Sequence, residues 1–244
     1  MFYSSNKNII YIILALLAVS SIARGQFSII DLLLTLPGVL VAITFHEFAH
    51  AYAADKLGDD TPRMQGRLNL NPLSHIDPFG FFMLVFAHIG WGKPVEINPR
   101  NFDRKISMSA AEAIVAFAGP LMNFILAIVF TIIFYAVTTF AGVGFLYSTV
   151  GEVIATMLSY TIIVNVGLGV FNLIPLPPLD GSKILKNVLP YKARYWIESH
   201  EYFFYIVFLV IWITDLASLI INPIINAIIS GLSFAIGGIF GLFM

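Results

Sequence analysis

The sequence predicts an all-α polytopic membrane protein of about six transmembrane helices, with a re-entrant or short membrane-associated segment near 79–105 and possible short strands there. Three observations support this fold class. Hydrophobic residues fill 59% of the 244 positions and charged residues only 11%. Apolar stretches of spanning length recur to the C-terminus. Lys and Arg fall almost entirely on one side of the topology those stretches define. A water-soluble domain of this size would not tolerate so apolar a surface. The net charge of −1 gives neither a nucleic-acid footprint nor a surface for acidic substrates. With no cysteine in the chain, disulfides and thiolate ligands are excluded, and His, Asp and Glu remain as metal-binding types.

Windows of about 20 residues place spans at 8–23, 29–55, 110–141, 152–173, 202–221 and 223–243. The first resembles a signal peptide in its Lys7, apolar run 8–19 and small residues Ser21-Ile22-Ala23; because further spans follow directly, an uncleaved helix is the favoured reading. The stretch Phe79 to Ile89 is apolar but about a dozen residues long, too short for a hydrocarbon core of ~30 Å at 1.5 Å per residue. Pro62, Gly66, Pro72 and Pro78 punctuate 56–80, and a similar polar piece follows at 90–105; both read as turns and short extended segments. If 79–89 does not cross, twelve of the thirteen Lys and Arg residues lie on one side and only Arg24 on the other. The positive-inside rule then puts both termini and the polar loops in the cytoplasm.

The chemistry centres on His46-Glu47-Phe48-Ala49-His50. Histidines four residues apart on a helix stand on one face and converge on one cation. Glu47 lies beside them, where its carboxylate reaches a water held by that metal, takes its proton and returns it to a leaving amine. On a soluble helix the pattern is short enough to arise by chance. Among Val41, Ala42, Ile43, Thr44 and Phe45, however, unpaired ionisable groups would be expensive, and intramembrane ones are functional by default. A catalytic zinc needs a third protein ligand. The run Phe171-Asn172-Leu173-Ile174-Pro175-Leu176-Pro177-Pro178-Leu179-Asp180-Gly181 breaks its helix at membrane depth, which is tolerated only where backbone lines protein or a watery cavity. Asp180 there is either a helix N-cap or the third ligand; the topology brings it to the cytoplasmic level of His50 and favours the ligand.

These motifs, with GRLNLNPLSHIDPFG, GWGKPVEINPRNF and AGPLMN, resemble the site-2 protease family of intramembrane zinc metalloproteases, of the compact prokaryotic type without PDZ or CBS domain. The resemblance covers roughly residues 40–185. It implies one Zn2+ per chain, His46, His50 and Asp180 as ligands, Glu47 as general base, and a transmembrane-helix substrate cut within or near the bilayer. Residues 1–244 read as one intramembrane metalloprotease domain with a catalytic core over about 29–185 and C-terminal helices over about 200–243. The expected setting is the plasma or inner membrane, multi-pass, with the active site toward the cytoplasm. The expected partners are a transmembrane substrate and the lipid bilayer, with no nucleic acid and no oligomeric state specified. The alternative function is a membrane metal transporter or metal-binding protein using the same His/Asp cluster. Transporters show paired broken helices in repeated halves, whereas one broken element and no repeat occur here. A further alternative is an inactive, substrate-binding relative.

Asn172 and Asn123 are substrate or transition-state candidates. The amide of Asn172 either donates to an oxyanion or caps its helix, and that of Asn123 either serves catalysis or joins helices. His75 and Asp77 are explained by turn chemistry; His88, His200, Glu112 and Asp215 receive no function. Pro94-Val95-Glu96-Ile97 is strand-compatible, and an exposed edge there could hold an unwound substrate by strand addition.

Overall fold

The computed structural model describes residues 28–78, 80–81, 92–213 and 216–243. The expected span 8–23, His88, Asp215 and most of the expected re-entrant stretch 79–89 lie outside these residues.

Three long helices form the centre. Helix α1 runs Ile29–Lys56, opened by Ser28, whose Oγ accepts from Asp31 N at 3.1 Å. Helix α2 runs Met108–Phe140, opened in the same way by Ser107, and α3 runs Thr149–Asn172, opened by Ser148. Each cap satisfies an amide that the first turn of a helix leaves unpaired. The three pack against one another. After α3 come α4 (Asp180–Val188), α5 (Tyr191–Ser199), α6 (Glu201–Ile213) and α7 (Leu216–Phe240). Helix α7 lies on α2 and α3, and α4 lies on α2. The apolar centre of α2, α3 and α7 is built from Ala127, Ile162, Val166, Val170 and Ile221. A second cluster, Ala54, Phe102, Ala111 and Val115, joins the end of α1 to the start of α2.

The chain is a multi-pass membrane protein. Among the described residues four helices are long and apolar enough to cross, at Ile29–Lys56, Met108–Phe140, Thr149–Asn172 and Ser218–Phe243. The expected six are not confirmed among the described residues, and the C-terminal pair differs from expectation. The break expected between spans 202–221 and 223–243 is absent, because Pro223 lies inside α7; packing around a membrane helix re-satisfies the carbonyl that an interior proline frees. Helix α6 has 13 described residues, Glu201–Ile213.

The expected short strands near 79–105 are not found among the described residues; a single antiparallel bridge joins Ile76 and Gly92. The physical reason lies in the partners. Residues 93–98 are extended, but Val95 N donates to Glu47 Oε2 at 3.1 Å and Asn98 N to Asp59 Oδ2 at 2.7 Å. Side chains thus take the amides a neighbouring strand would need, and Pro94 contributes none.

Candidate active site

His46 and His50 stand one turn apart on α1, both buried, with ring centroids 4.6 Å apart and planes at 86°. Their outer nitrogens are anchored. His50 Nδ1 donates to Val115 O at 2.7 Å, and His46 Nδ1 donates to Asn123 Oδ1 at 2.6 Å. A carbonyl oxygen accepts only, so each imidazole carries its proton on Nδ1 and turns the Nε2 lone pair inward. The two Nε2 atoms are 3.0 Å apart, and Asp180 Oδ2 lies 3.2 Å from that of His46 and 3.0 Å from that of His50.

Asp180 reaches this point because the proline-rich turn after α3 delivers it to the first position of α4. A Cβ on Gly181 would collide with the carbonyls of Leu173 and Ile174, so the close return of the turn requires glycine at that position. Lys183 Nζ lies 3.4 Å from Asp180 Oδ1, so one cation faces the carboxylate from its own helix. Gly119 of α2 closes the opposite side: a Cβ there would strike His50 Nε2 and sit 2.7 Å from His46 Cε1. One atom from each of His46, His50 and Asp180 falls within a 4.8 Å group able to hold a metal ion. A tetrahedral zinc with bonds of about 2.0–2.1 Å separates its ligands by about 3.3 Å, close to the spacings of these donors.

Glu47 faces a cavity of about 510 Å³ whose walls include Ile43, Val95, Leu168, Phe171 and Phe208. A second cavity of about 350 Å³ meets it at His50, Val95, Ile97 and Lys183 and is lined by Lys186, Arg194, Glu112 and Glu198. The first cavity, mostly apolar, touches all three donors, whereas the second, with its charged groups, touches His50 alone among them.

The remaining candidates separate by position. Asn172 lines the apolar cavity and donates to Leu168 O at 3.0 Å. Asn123 has no exposed surface, and besides accepting from His46 it donates to Ala42 O and to Asn165 Oδ1. His75 is fully buried and not part of the His46, His50 and Asp180 group, its Nε2 donating to Asn69 O at 2.8 Å. Asp77 accepts from Gly80 N at 2.7 Å in its turn. Exposed His200 lies against Trp196.

Three residues that sequence reasoning missed support the site. Asn165 bonds Asn123; Arg67 donates to the carbonyls of Ser74 and Lys93; buried Asp59 accepts from Thr61, Asn98 and Asn101. Of these, Asn165 had a signal: a polar amide within a span, seven residues before Asn172 and so on nearly the same helical face.

The family model of peptidase family M50 matches residues 34–214. This chain belongs to peptidase family M50. The M50 match agrees with the resemblance to site-2 proteases seen in the motifs. Among relatives of this M50 chain is the protein named as zinc metalloprotease YwhC of Bacillus subtilis, 39% identical over 190 residues, covering 78% of this chain and 84% of the relative. The proteins named as zinc metalloprotease Rip2 are also similar. That of Mycolicibacterium smegmatis is 30% identical over 72% of this chain and 65% of its own length. That of Mycobacterium tuberculosis is 27% identical over 63% of this chain and 56% of its own length. No solved structure matches the chain.

Proposed function

We propose that this M50 chain is a zinc-dependent intramembrane endopeptidase in which His46, His50 and Asp180 hold the metal and Glu47 is the general base. The observation that carries the proposal is the convergence of two Nε2 atoms and one carboxylate oxygen beside a cavity that Glu47 faces. When bound, zinc supplies Lewis acidity, which brings the pKa of water to about 7 and polarises a scissile carbonyl. Glu47 accepts the proton of the attacking water and returns it to the leaving nitrogen. Val95 N holds Glu47 Oε2 and leaves the other carboxylate oxygen for that transfer. Asn123 orients His46 rather than meeting substrate, since its amide is wholly engaged by protein. Asn172, on the cavity wall, is the candidate donor to a developing oxyanion.

The substrate is a transmembrane segment, unwound locally against the extended residues 94–98. Val95 and Ile97 lie on the cavity wall there, and strand addition would use amides other than those of Val95 and Asn98. The Lys and Arg distribution supports a site opening toward the cytoplasm of a cell membrane. The test is co-expression with single-span membrane proteins, mapping cut sites by mass spectrometry for the wild type and Glu47→Gln. Cleavage by the wild type and a loss of about 10²–10⁴-fold in the variant are expected. Unchanged cleavage by the variant, or zinc movement across vesicles without cleavage, contradicts the assignment.

A further inference from the structure

A polar side chain in the middle of an apolar helix needs partners, and Asn165 of α3 has two. It has no exposed surface; its Nδ2 donates to Thr161 O at 2.8 Å, and its Oδ1 accepts from Asn123 Nδ2 at 3.1 Å. A backbone carbonyl only accepts, so the nitrogen of the Asn165 amide must face Thr161 and its oxygen must face Asn123. Asn123 therefore meets an acceptor on that side, and a second acceptor, Ala42 O, lies 3.1 Å from the same nitrogen. Together they turn both N–H bonds of Asn123 away from His46 and its oxygen toward His46 Nδ1. A flipped Asn123 would set its oxygen against two acceptors in a buried site, where unmatched polar groups are costly. It would also place a donor against His46 Nδ1 and drive the imidazole proton onto Nε2.

We propose that Asn165 is a positioning residue for the metal centre: it locks the Asn123 amide, and with it the His46 tautomer that keeps the Nε2 lone pair for a cation. The proposal rests on the reading of His46, His50 and Asp180 as zinc ligands. Asn165 touches none of the three metal-binding atoms and acts through one amide, so its effect must vanish when that amide is absent.

The test is the zinc affinity of the full chain in detergent micelles, by competition with a chromophoric chelator, together with the visible spectrum of the cobalt-substituted protein. Hydrogen-bond partners of metal ligands typically change affinity about 10–100-fold. Asn123→Leu is expected to fall in that range, and Asn165→Leu near its lower end, at about 10-fold, with a shifted cobalt spectrum. The double variant should be no weaker than Asn123→Leu alone. In its protonated form the carboxyl of Asn165→Asp donates to Thr161 O and keeps an acceptor toward Asn123, so this variant should stay within about threefold of wild type. Should Asn165→Leu fail to accumulate, Asn165→Thr carries the same expectation, because its hydroxyl bonds back to Thr161 O and ends short of Asn123. Wild-type affinity and cobalt spectrum in the variant that accumulates, or a double variant whose loss is the product of the two single losses, overturns the proposal. Zinc binding that survives His46→Ala overturns the ligand assignment instead, so the two failures are distinct.

Discussion

Gly119→Ala places the smallest possible side chain against the proposed metal centre, and its effect can be worked from the geometry. The added Cβ would strike His50 Nε2 and lie 2.6 Å from His50 Cε1 and 2.7 Å from His46 Cε1. Ordinary carbon contacts begin near 3.5 Å, so α2 or the imidazoles must give way by about 0.8–0.9 Å. The imidazoles have little freedom, since Val115 O and Asn123 Oδ1 hold their far nitrogens. Displacements of about 1 Å at a reacting centre reduce rates about 10²-fold, and overpacking of this kind costs about 1–3 kcal/mol in stability. Zinc content by mass spectrometry, melting in detergent and cleavage of a single-span substrate in proteoliposomes would all be measured. Gly167→Ala is the matched control, because its nearest neighbour is Ile225 Cδ1 at an ordinary 3.7 Å. The reasoning is refuted if Gly119→Ala binds zinc and cleaves as wild type does, or if Gly167→Ala is equally damaged.

Chelation should abolish cleavage, and zinc should restore it, with the helical signal by circular dichroism largely kept, because the described helices pack through apolar contacts independent of the metal. Arg67→Lys should lower kcat about 10-fold or more with zinc content unchanged, because a single ammonium cannot bridge Ser74 O and Lys93 O as the guanidinium fork does; a loss of zinc instead would place Arg67 in the wrong role. Burial alone would raise the Asp59 carboxyl, but hydrogen bonds from Thr61, Asn98 and Asn101 outweigh it and hold it below the ordinary carboxylate value. A lowered folded-state pKa gives stability that is present above the unfolded value and lost as pH falls through the folded one. Melting temperature should therefore drop on acidification below about pH 4, and Asp59→Asn should be less stable at neutral pH with a flatter acid limb; parallel pH curves for the two proteins would contradict this.

Much of the site was legible because its chemistry depends on local spacing. His46 and His50 share a helical face by periodicity alone, and the prolines before Asp180 announce a broken element at membrane depth. The first three spans of the described structure also followed from hydropathy, since length and apolar content determine them. What depends on which helix faces which was not legible. Asn165 and Gly119 matter through partners 42 and 69 residues away, Asn123 and His50, and no pattern in α2 or α3 names those partners. The extended residues 93–98 have strand-like composition, yet their amides meet Glu47 and Asp59, which only the return of this segment against α1 and the turn after it could reveal. The division between 221 and 223 was not legible because apolar content continues on both sides of it, and Pro223 sits inside one continuous helix.

The most direct test of the three-ligand centre is zinc X-ray absorption on the purified chain. The account predicts a shell of two imidazole nitrogens and carboxylate oxygen at about 2.0–2.2 Å, unchanged in Glu47→Gln and disrupted in Asp180→Ala. A spectrum that Asp180→Ala leaves intact would contradict it.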